Sequence, residues 1–186
     1  MTWIAGFRYF HFSDNLLYAA SLQDSVINRG ADDLYYEVNT TNDLFGAQFG
    51  SRLDYCIGKR LNTYASAKVG VYNNRANLMS SMGTDFERAT LNDTRTPANP
   101  SNGQTYMFDE TKNDLAFLSE IGTGLGIRVS SKWTATVGYR AVIAAGVATS
   151  TGNFRETFAN YSTVRDFNNT DCLILHGLNV GGIYNF

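Results

Sequence analysis

The sequence between Asn113 and Ser150 decides the fold class, because it holds two segments with the same side-chain alternation. Residues 115–129 read LAFLSEIGTGLGIRV, and residues 133–147 read WTATVGYRAVIAAGV. In both segments the odd-numbered positions are mostly large and apolar, whereas the even-numbered positions are mainly small residues with a few charges. A period of two indicates β-strands. The three residues between the segments predict a tight turn that joins two antiparallel strands, with Val129 opposite Trp133.

The length and the faces of these two strands favour a membrane barrel over a soluble sheet. Strands of about 15 residues exceed the typical five or six of a soluble sheet, whereas a bilayer-spanning strand needs about nine to eleven residues. A soluble barrel would need a polar outer coat, and the glycine-rich face is too poor in polar groups to provide one. A lipid-facing outer face and a wet, crowded inner face explain both patterns. The sequence therefore predicts an all-β, antiparallel, up-and-down transmembrane β-barrel.

The amino-acid composition supports a β-rich chain and argues against a transmembrane helix and against nucleic-acid binding. The chain has 186 residues, with 17 glycines, two prolines, 13% aromatic and 17% charged residues. We expect a single domain over residues 1–186. No run of 18 apolar residues occurs, which argues against a transmembrane helix. A net charge of -2 gives no basic footprint for nucleic acid.

The pattern along the whole chain predicts seven strands. Short connections are predicted at residues 13–15, 58–60 and 130–132, and long loops near residues 24–33, 80–112 and 151–169. Short periplasmic turns that alternate with long extracellular loops are typical of outer-membrane barrels. The loops at 80–112 and 151–169 are therefore expected to be extracellular.

An odd strand count conflicts with the even number of strands in bacterial single-chain barrels. One explanation is N-terminal truncation, which would also account for the missing secretory signal around Met1. The other is an eighth strand, hidden in residues 154–161 or in a split of residues 33–42. We favour truncation, so that the seven or eight strands present would be part of a larger barrel.

The last strand ends on an aromatic residue preceded by apolar residues at every second position. Val180, Tyr184 and Phe186 carry this pattern, which resembles the C-terminal signal by which bacterial outer-membrane barrels are recognised for insertion. The resemblance implies the barrel-assembly machinery as a partner.

Four blocks of sequence together resemble a known family. They are Gly6 to Phe10, Asn42 to Gly50, Lys68 to Asn74 and Val137 to Arg140. In this order they look like planctomycete outer-membrane β-barrel porins, and the resemblance covers nearly the whole chain. It implies a bacterial outer-membrane location, contact with outer-membrane lipid and a pore, without catalytic residues.

Polar and charged residues on the small-residue face are the candidate lumen residues. Counting from the turn at 130–132 places Glu120 opposite Val142 and diagonal to Arg140, with Lys68 at a similar height if its strand is adjacent. This cluster is either a constriction that selects solutes by charge or a set of groups that neutralise one another in a filled, closed barrel. The predicted lumen-lining residues are Arg8, Gln48, Arg52, Asp54, Lys68, Glu120, Arg128 and Arg140.

Few other residues in the sequence suggest metal binding, disulfide formation or catalysis. His11 and His176 lack carboxylates or cysteines at metal-ligand spacing, so we expect no metal site and no cofactor. Cys56 and Cys172 fall on opposite faces and at opposite ends of their strands, which predicts two free thiols. No constellation predicts an enzyme.

Three functional classes remain open. The first is a passive channel, the second a closed structural or adhesive barrel that acts through its long loops, and the third a soluble lipocalin-like binder. An odd set of strands would leave an unpaired edge, and this edge makes a homo-oligomer a further possibility.

Overall fold

A computed structural model describes residues 1–21, 27, 33–92, 96–155 and 165–184. These residues form one antiparallel sheet, whose six strands follow one another in the order of the chain. The fold is an up-and-down half-barrel, which confirms the predicted all-β class. The strands are β1 (Thr2–Ser21), β2 (Asp33–Ile57), β3 (Leu61–Gly83), β4 (Met107–Arg128), β5 (Trp133–Val147) and β6 (Asp171–Tyr184).

The prediction of seven strands was wrong because β1 is one continuous strand. We predicted a turn at residues 13–15, yet Ser13, Asp14 and Asn15 pair with residues 41, 40 and 39 of β2. The strand tolerates Ser13 and Asn15 because they lie on a polar part of the outer face. Asp14 lies on the inner face, where it accepts hydrogen bonds from Ser150. With six strands, Thr2 lies at the same end of the sheet as the turn at 58–60.

The other strands come in the predicted order, but several are longer than predicted. Residues 33–42 belong to β2 without a split, so no extra strand lies there. β3 and β4 reach into the predicted loop at 80–112, so the connection between them spans residues 84–106. Of the predicted strand at 154–161, residues 154 and 155 are not in a strand and the others lie outside the described residues. Of the predicted loop at 24–33 only residues 27 and 33 are described, and residues 156–164 of the predicted loop at 151–169 lie outside the described residues.

The registers around the central turn are confirmed. Val129 donates a backbone hydrogen bond to Trp133, and Glu120 faces Val142 while Gly122 faces Arg140. Lys68 lies directly opposite Glu120. The end of β5 is irregular, because Gly146 adopts a positive φ of 82° where the β5–β6 register shifts.

The sheet curves so strongly that β1 reaches β4 across its inner face. Strands three positions apart in a flat sheet are separated by about 14 Å. Nevertheless, Arg8 Nη1 of β1 lies 2.6 Å from Glu120 Oε2 of β4. This contact defines the inner face, which carries the even-numbered residues of β1 to β5 as far as the irregularity at Gly146.

Large apolar side chains cover the outer face in a continuous band, which we call the apolar belt. On β4 it runs from Leu115 to Ile127, and about a dozen residues at ~3.3 Å each and ~45° of tilt cover roughly 28 Å. This matches the apolar band of about 25 Å on outer-membrane barrels. A lipocalin-like barrel would hold these side chains inside, whereas here they are exposed. The exposed members include Trp3, Phe7, Phe45, Phe49, Val69, Val71, Leu115, Phe117, Ile121, Leu125, Trp133, Val137, Ile143 and Val180.

Both faces change polarity where the strands pass beyond the apolar belt toward the long connections. On β2 the outer face changes from Phe45 to Asp43, and polar residues continue to Glu37. The inner face keeps the buried polar side chains of Asn42 and Thr40 just above the belt and becomes apolar higher up, where Val38 and Tyr36 are buried. This inner cluster, which we call the cap cluster, comprises Tyr36, Val38, Leu78, Leu91, Tyr106 and Phe108. The upper part of the sheet is thus built like a soluble protein.

Within the described residues, β1 pairs only with β2, and β6 pairs only with β5. The described part of the chain contains no helix that is long and apolar enough to cross a membrane.

Candidate functional site

The inner face at the height of the apolar belt carries the candidate site. The eight residues that we predicted to line a lumen all have the parity of this face. They do not form a single cluster, because the structure divides them between two ionic groups and three isolated positions.

Glu120 lies at the centre of the first group, near the middle of the belt. Its carboxylate accepts a hydrogen bond from Arg8 at 2.6 Å and, through the other oxygen, one from Lys68 at 2.8 Å. Glu120 is only 5% exposed. Because both oxygens have cationic partners, the buried carboxylate is neutralised and holds β1 against β3 and β4. The group of Arg8, Lys68 and Glu120, which we call the ionic triad, has a net positive charge.

Arg140 does not join the ionic triad, although the register makes it the diagonal neighbour of Glu120. Within the described residues its side chain makes no salt bridge. It is exposed beside a cavity of about 270 Å³ that reaches Arg8 and Phe10 on β1 and Asn179 on β6. The mixed-sign cluster predicted around Glu120 therefore contains Lys68 and Arg8, but not Arg140.

The second ionic group lies closer to the turn at 58–60. Arg52 Nε donates a hydrogen bond to Asp54 Oδ1 at 2.9 Å, and the Arg52 guanidinium lies 4.2 Å from the centre of the Tyr64 ring. The Tyr64 ring in turn covers two glycines that face each other on β4 and β5, Gly124 and Gly138. The glycine-rich face thus receives inward-pointing side chains.

Two further predicted residues stand apart. Gln48 accepts a hydrogen bond from Tyr72 at 3.5 Å. Arg128 is exposed near the turn at 58–60, where it lines a small surface pocket with Cys56 and Lys59.

The inner face above the ionic triad is filled by apolar side chains. These residues, which we call the lumen cluster, are Leu44, Tyr72, Ala116, Leu118, Val142, Ala144 and Val147, with Phe10 and Leu173 packed against them. The lumen cluster occupies the inner face between the ionic triad and the connection that follows β5.

The start of that connection folds back over the inner face, and the sequence did not reveal this. Asn42 exchanges two hydrogen bonds of 2.7 Å with the backbone of Ala148, and Asn74 donates one of 3.0 Å to the carbonyl of Gly146. Asp14 accepts hydrogen bonds from the backbone and the hydroxyl of Ser150. We call residues 147–153 the inward segment. The signal in the sequence was the inner-face parity of Asp14, Asn42 and Asn74, but we predicted Asp14 to lie in a turn.

Comparison with known proteins identifies the family. A family model described as Putative beta barrel porin-7 matches residues 1–186, the whole chain. The chain belongs to this family. No curated protein and no solved structure matches it significantly. Membership of this porin family agrees with the half-barrel and with the family resemblance of the sequence.

The C-terminal strand of this porin family member carries two of the three residues of the predicted insertion signal. Val180 and Tyr184 lie on the outer face of β6, and the Tyr184 ring contacts Trp133 with centroids 5.1 Å apart. Phe186 lies outside the described residues. The role of these residues as an insertion signal remains a prediction.

The histidines and cysteines of this porin family member are not part of the ionic triad, although His176 lines the cavity beside Arg140. His11 lies 2.8 Å from Asp43 on the outer face, and His176 contacts Tyr139. Among the described residues, no group of three His, Cys, Asp or Glu side chains could hold a metal ion. Cys56 and Cys172 are free, as predicted, and both are exposed.

Proposed function

We propose that this protein is a bacterial outer-membrane barrel through which small solutes pass by passive diffusion. The observation that carries the proposal is the separation of charge from apolar surface at the height of the apolar belt. The outer face there has no Asp, Glu, Lys or Arg among the described residues, whereas the inner face has seven, at positions 8, 52, 54, 68, 120, 128 and 140. A lipid-exposed exterior and a hydrated interior require this arrangement.

We further propose its partners. Outer-membrane lipid would contact the apolar belt, and the barrel-assembly machinery would engage β6. Free backbone groups cannot remain unpaired in the hydrocarbon core, so the edges of β1 and β6 would be paired by further strands in the membrane, for which a second copy is one source. We assign the protein no catalytic role.

A closed structural or adhesive barrel is the second candidate, and one observation favours it. The lumen cluster and the inward segment fill the inner face above the ionic triad, and Val147 and Ala148 in the inward segment are completely buried. Such a barrel would act through the connections at 84–106 and 148–170 rather than through a pore.

Planar-bilayer recording on the full-length protein distinguishes the two candidates. Stable conductance steps are expected if the proposed diffusion function holds. Asn42→Ala removes both hydrogen bonds to Ala148 and should raise the conductance by freeing the inward segment. The matched control is Asn39→Ala, since Asn39 lies on the outer face of the same strand above the apolar belt. A folded protein without conductance, both as wild type and as Asn42→Ala, would reject diffusion and support the closed barrel.

A further inference from the structure

The inner face carries more cationic than anionic side chains. At the height of the apolar belt the inner face has five cationic side chains and two carboxylates, although the whole chain has a net charge of -2. The cations are Arg8, Arg52, Lys68, Arg128 and Arg140, and the carboxylates are those of Asp54 and Glu120. A passage bounded by this face would have a positive potential, which low-dielectric walls strengthen.

Both carboxylates are already engaged by cations. Glu120 uses its two oxygens for Arg8 and Lys68, and Asp54 accepts from Arg52. Within the described residues, Arg128 and Arg140 therefore keep an uncompensated charge. Of these two, only Arg140 lies near the middle of the apolar belt, opposite Gly122.

The surroundings of Arg140 suit a small anion. Arg140 borders the cavity of about 270 Å³, whose wall also includes Arg8, Phe10, Val142 and Asn179. A guanidinium offers several N–H donors in a planar fork that matches carboxylate and phosphate oxygens, and an amide such as that of Asn179 can add another donor. A volume of this size holds several water molecules of about 30 Å³ each, and hence a small hydrated anion.

We propose that the inner face selects small anions, such as chloride, phosphate and short carboxylates, and that Arg140 binds the passing anion. This inference rests on the proposed diffusion function and names its substrate class. The ionic triad adds a net positive charge beside the cavity, while Arg140 presents the donors that contact the ion.

The test is the reversal potential of the full-length protein in a planar bilayer across a potassium chloride gradient. The wild type should favour chloride over potassium. Arg140→Gln should reduce the chloride-to-potassium permeability ratio about two- to fivefold, the change expected when one charge is removed at roughly 8 Å from an ion in water. Arg140→Lys keeps the charge and should keep most of the preference. Arg75→Gln changes the charge on the outer face above the apolar belt, where Arg75 lies with Asp43 and Asp109, and should leave the ratio unchanged.

The outcomes separate this inference from the function on which it rests. A conducting wild type that prefers potassium would overturn anion selection and leave diffusion intact. Anion preference that is equal in wild type and Arg140→Gln would overturn the role of Arg140. The absence of conductance from wild type and all variants would reject the diffusion function itself, and anion selection with it.

Discussion

At the scale of single residues, Glu120 is expected to contribute most to stability among the inner-face charges. Glu120→Gln would leave Arg8 and Lys68 without their counter-charge. Because their side chains are 23% and 24% exposed, we expect a loss of roughly 2–3 kcal/mol in the free energy of unfolding, below the usual cost of breaking a fully buried pair. Urea unfolding in lipid vesicles, followed by tryptophan fluorescence, measures it.

The matched control for Glu120 is Asp54→Asn. Asp54 and Arg52 are each 42% exposed, so this change should cost less than about 1 kcal/mol. Equal losses in the free energy of unfolding for the two variants would show that burial does not strengthen the ion pairs of Glu120.

Tyr106 is expected to make the stability of the cap cluster sensitive to alkaline pH. Burial raises the pKa of Tyr106 above its usual value, and the hydrogen bond that its hydroxyl donates to Tyr36 at 3.2 Å acts in the same direction. The folded-state pKa exceeds the unfolded value of about 10, so the stabilisation is complete below about pH 10 and is lost as the pH rises through the folded pKa.

Tyr106→Phe keeps the ring and removes the ionisable group. Between about pH 9 and about pH 11 the wild type should lose more stability than the variant, as measured by the urea midpoint at each pH. The other tyrosines ionise in both proteins, so the difference between the two slopes isolates Tyr106. Parallel losses would mean that the ionisation of Tyr106 is not coupled to unfolding.

At the scale of strands, the glycine face of β4 and β5 is a packing surface. A methyl group added at Gly124 would lie 2.5 Å from the Tyr64 ring, and one added at Gly138 would lie 2.4 Å from the Tyr64 hydroxyl. We expect Gly124→Ala to destabilise the protein by about 1–3 kcal/mol through overpacking. Heat-modifiable gel mobility and urea unfolding measure the effect.

A second change tests whether Tyr64 is the cause. Tyr64→Ala should cost stability alone, but Gly124→Ala should be nearly neutral in its presence, since the ring that obstructs the methyl group is gone. Gly6→Ala is the matched control, because no atom lies within 4 Å of a methyl group added there. Additive losses for Gly124 and Tyr64 would contradict the packing role.

The strands also show what the sequence could and could not predict. The alternation of β4 and β5 is regular, so their faces, their turn and the pairing of Glu120 with Val142 followed from periodicity. In β1 the polar residues around Asp14 predicted a turn. They fit within a strand because the outer face is polar there and because Asp14 accepts a hydrogen bond from Ser150. Neither feature follows from the local sequence. Contacts between residues far apart in sequence, such as Arg8 with Glu120, depend on the curvature of the sheet, which periodicity does not specify.

At the scale of the whole molecule, the change of polarity at Phe45 on β2 predicts the level at which the bilayer ends. If the protein spans the membrane as proposed, residues of β2 below Phe45 face lipid and lumen in alternation, and the outer face above Phe45 meets water. Three arginine substitutions on β2 therefore have different expected costs. They are Phe49→Arg in the apolar belt, Gln48→Arg on the inner face, and Thr41→Arg on the outer face above the belt.

Phe49→Arg should cost the most, about 2–4 kcal/mol, because an arginine facing lipid near the bilayer midplane must be taken out of water. Thr41→Arg should cost less than about 1 kcal/mol, since its side chain faces solvent or the interface. Gln48→Arg should fall between them, because the inner face is polar but crowded by Tyr72. Unfolding free energies in lipid vesicles give the three values, and folding yield in vesicles provides an independent measure. If Thr41→Arg were as costly as Phe49→Arg, the bilayer would extend past Asp43, and the upper half of the sheet would lie in lipid rather than in water.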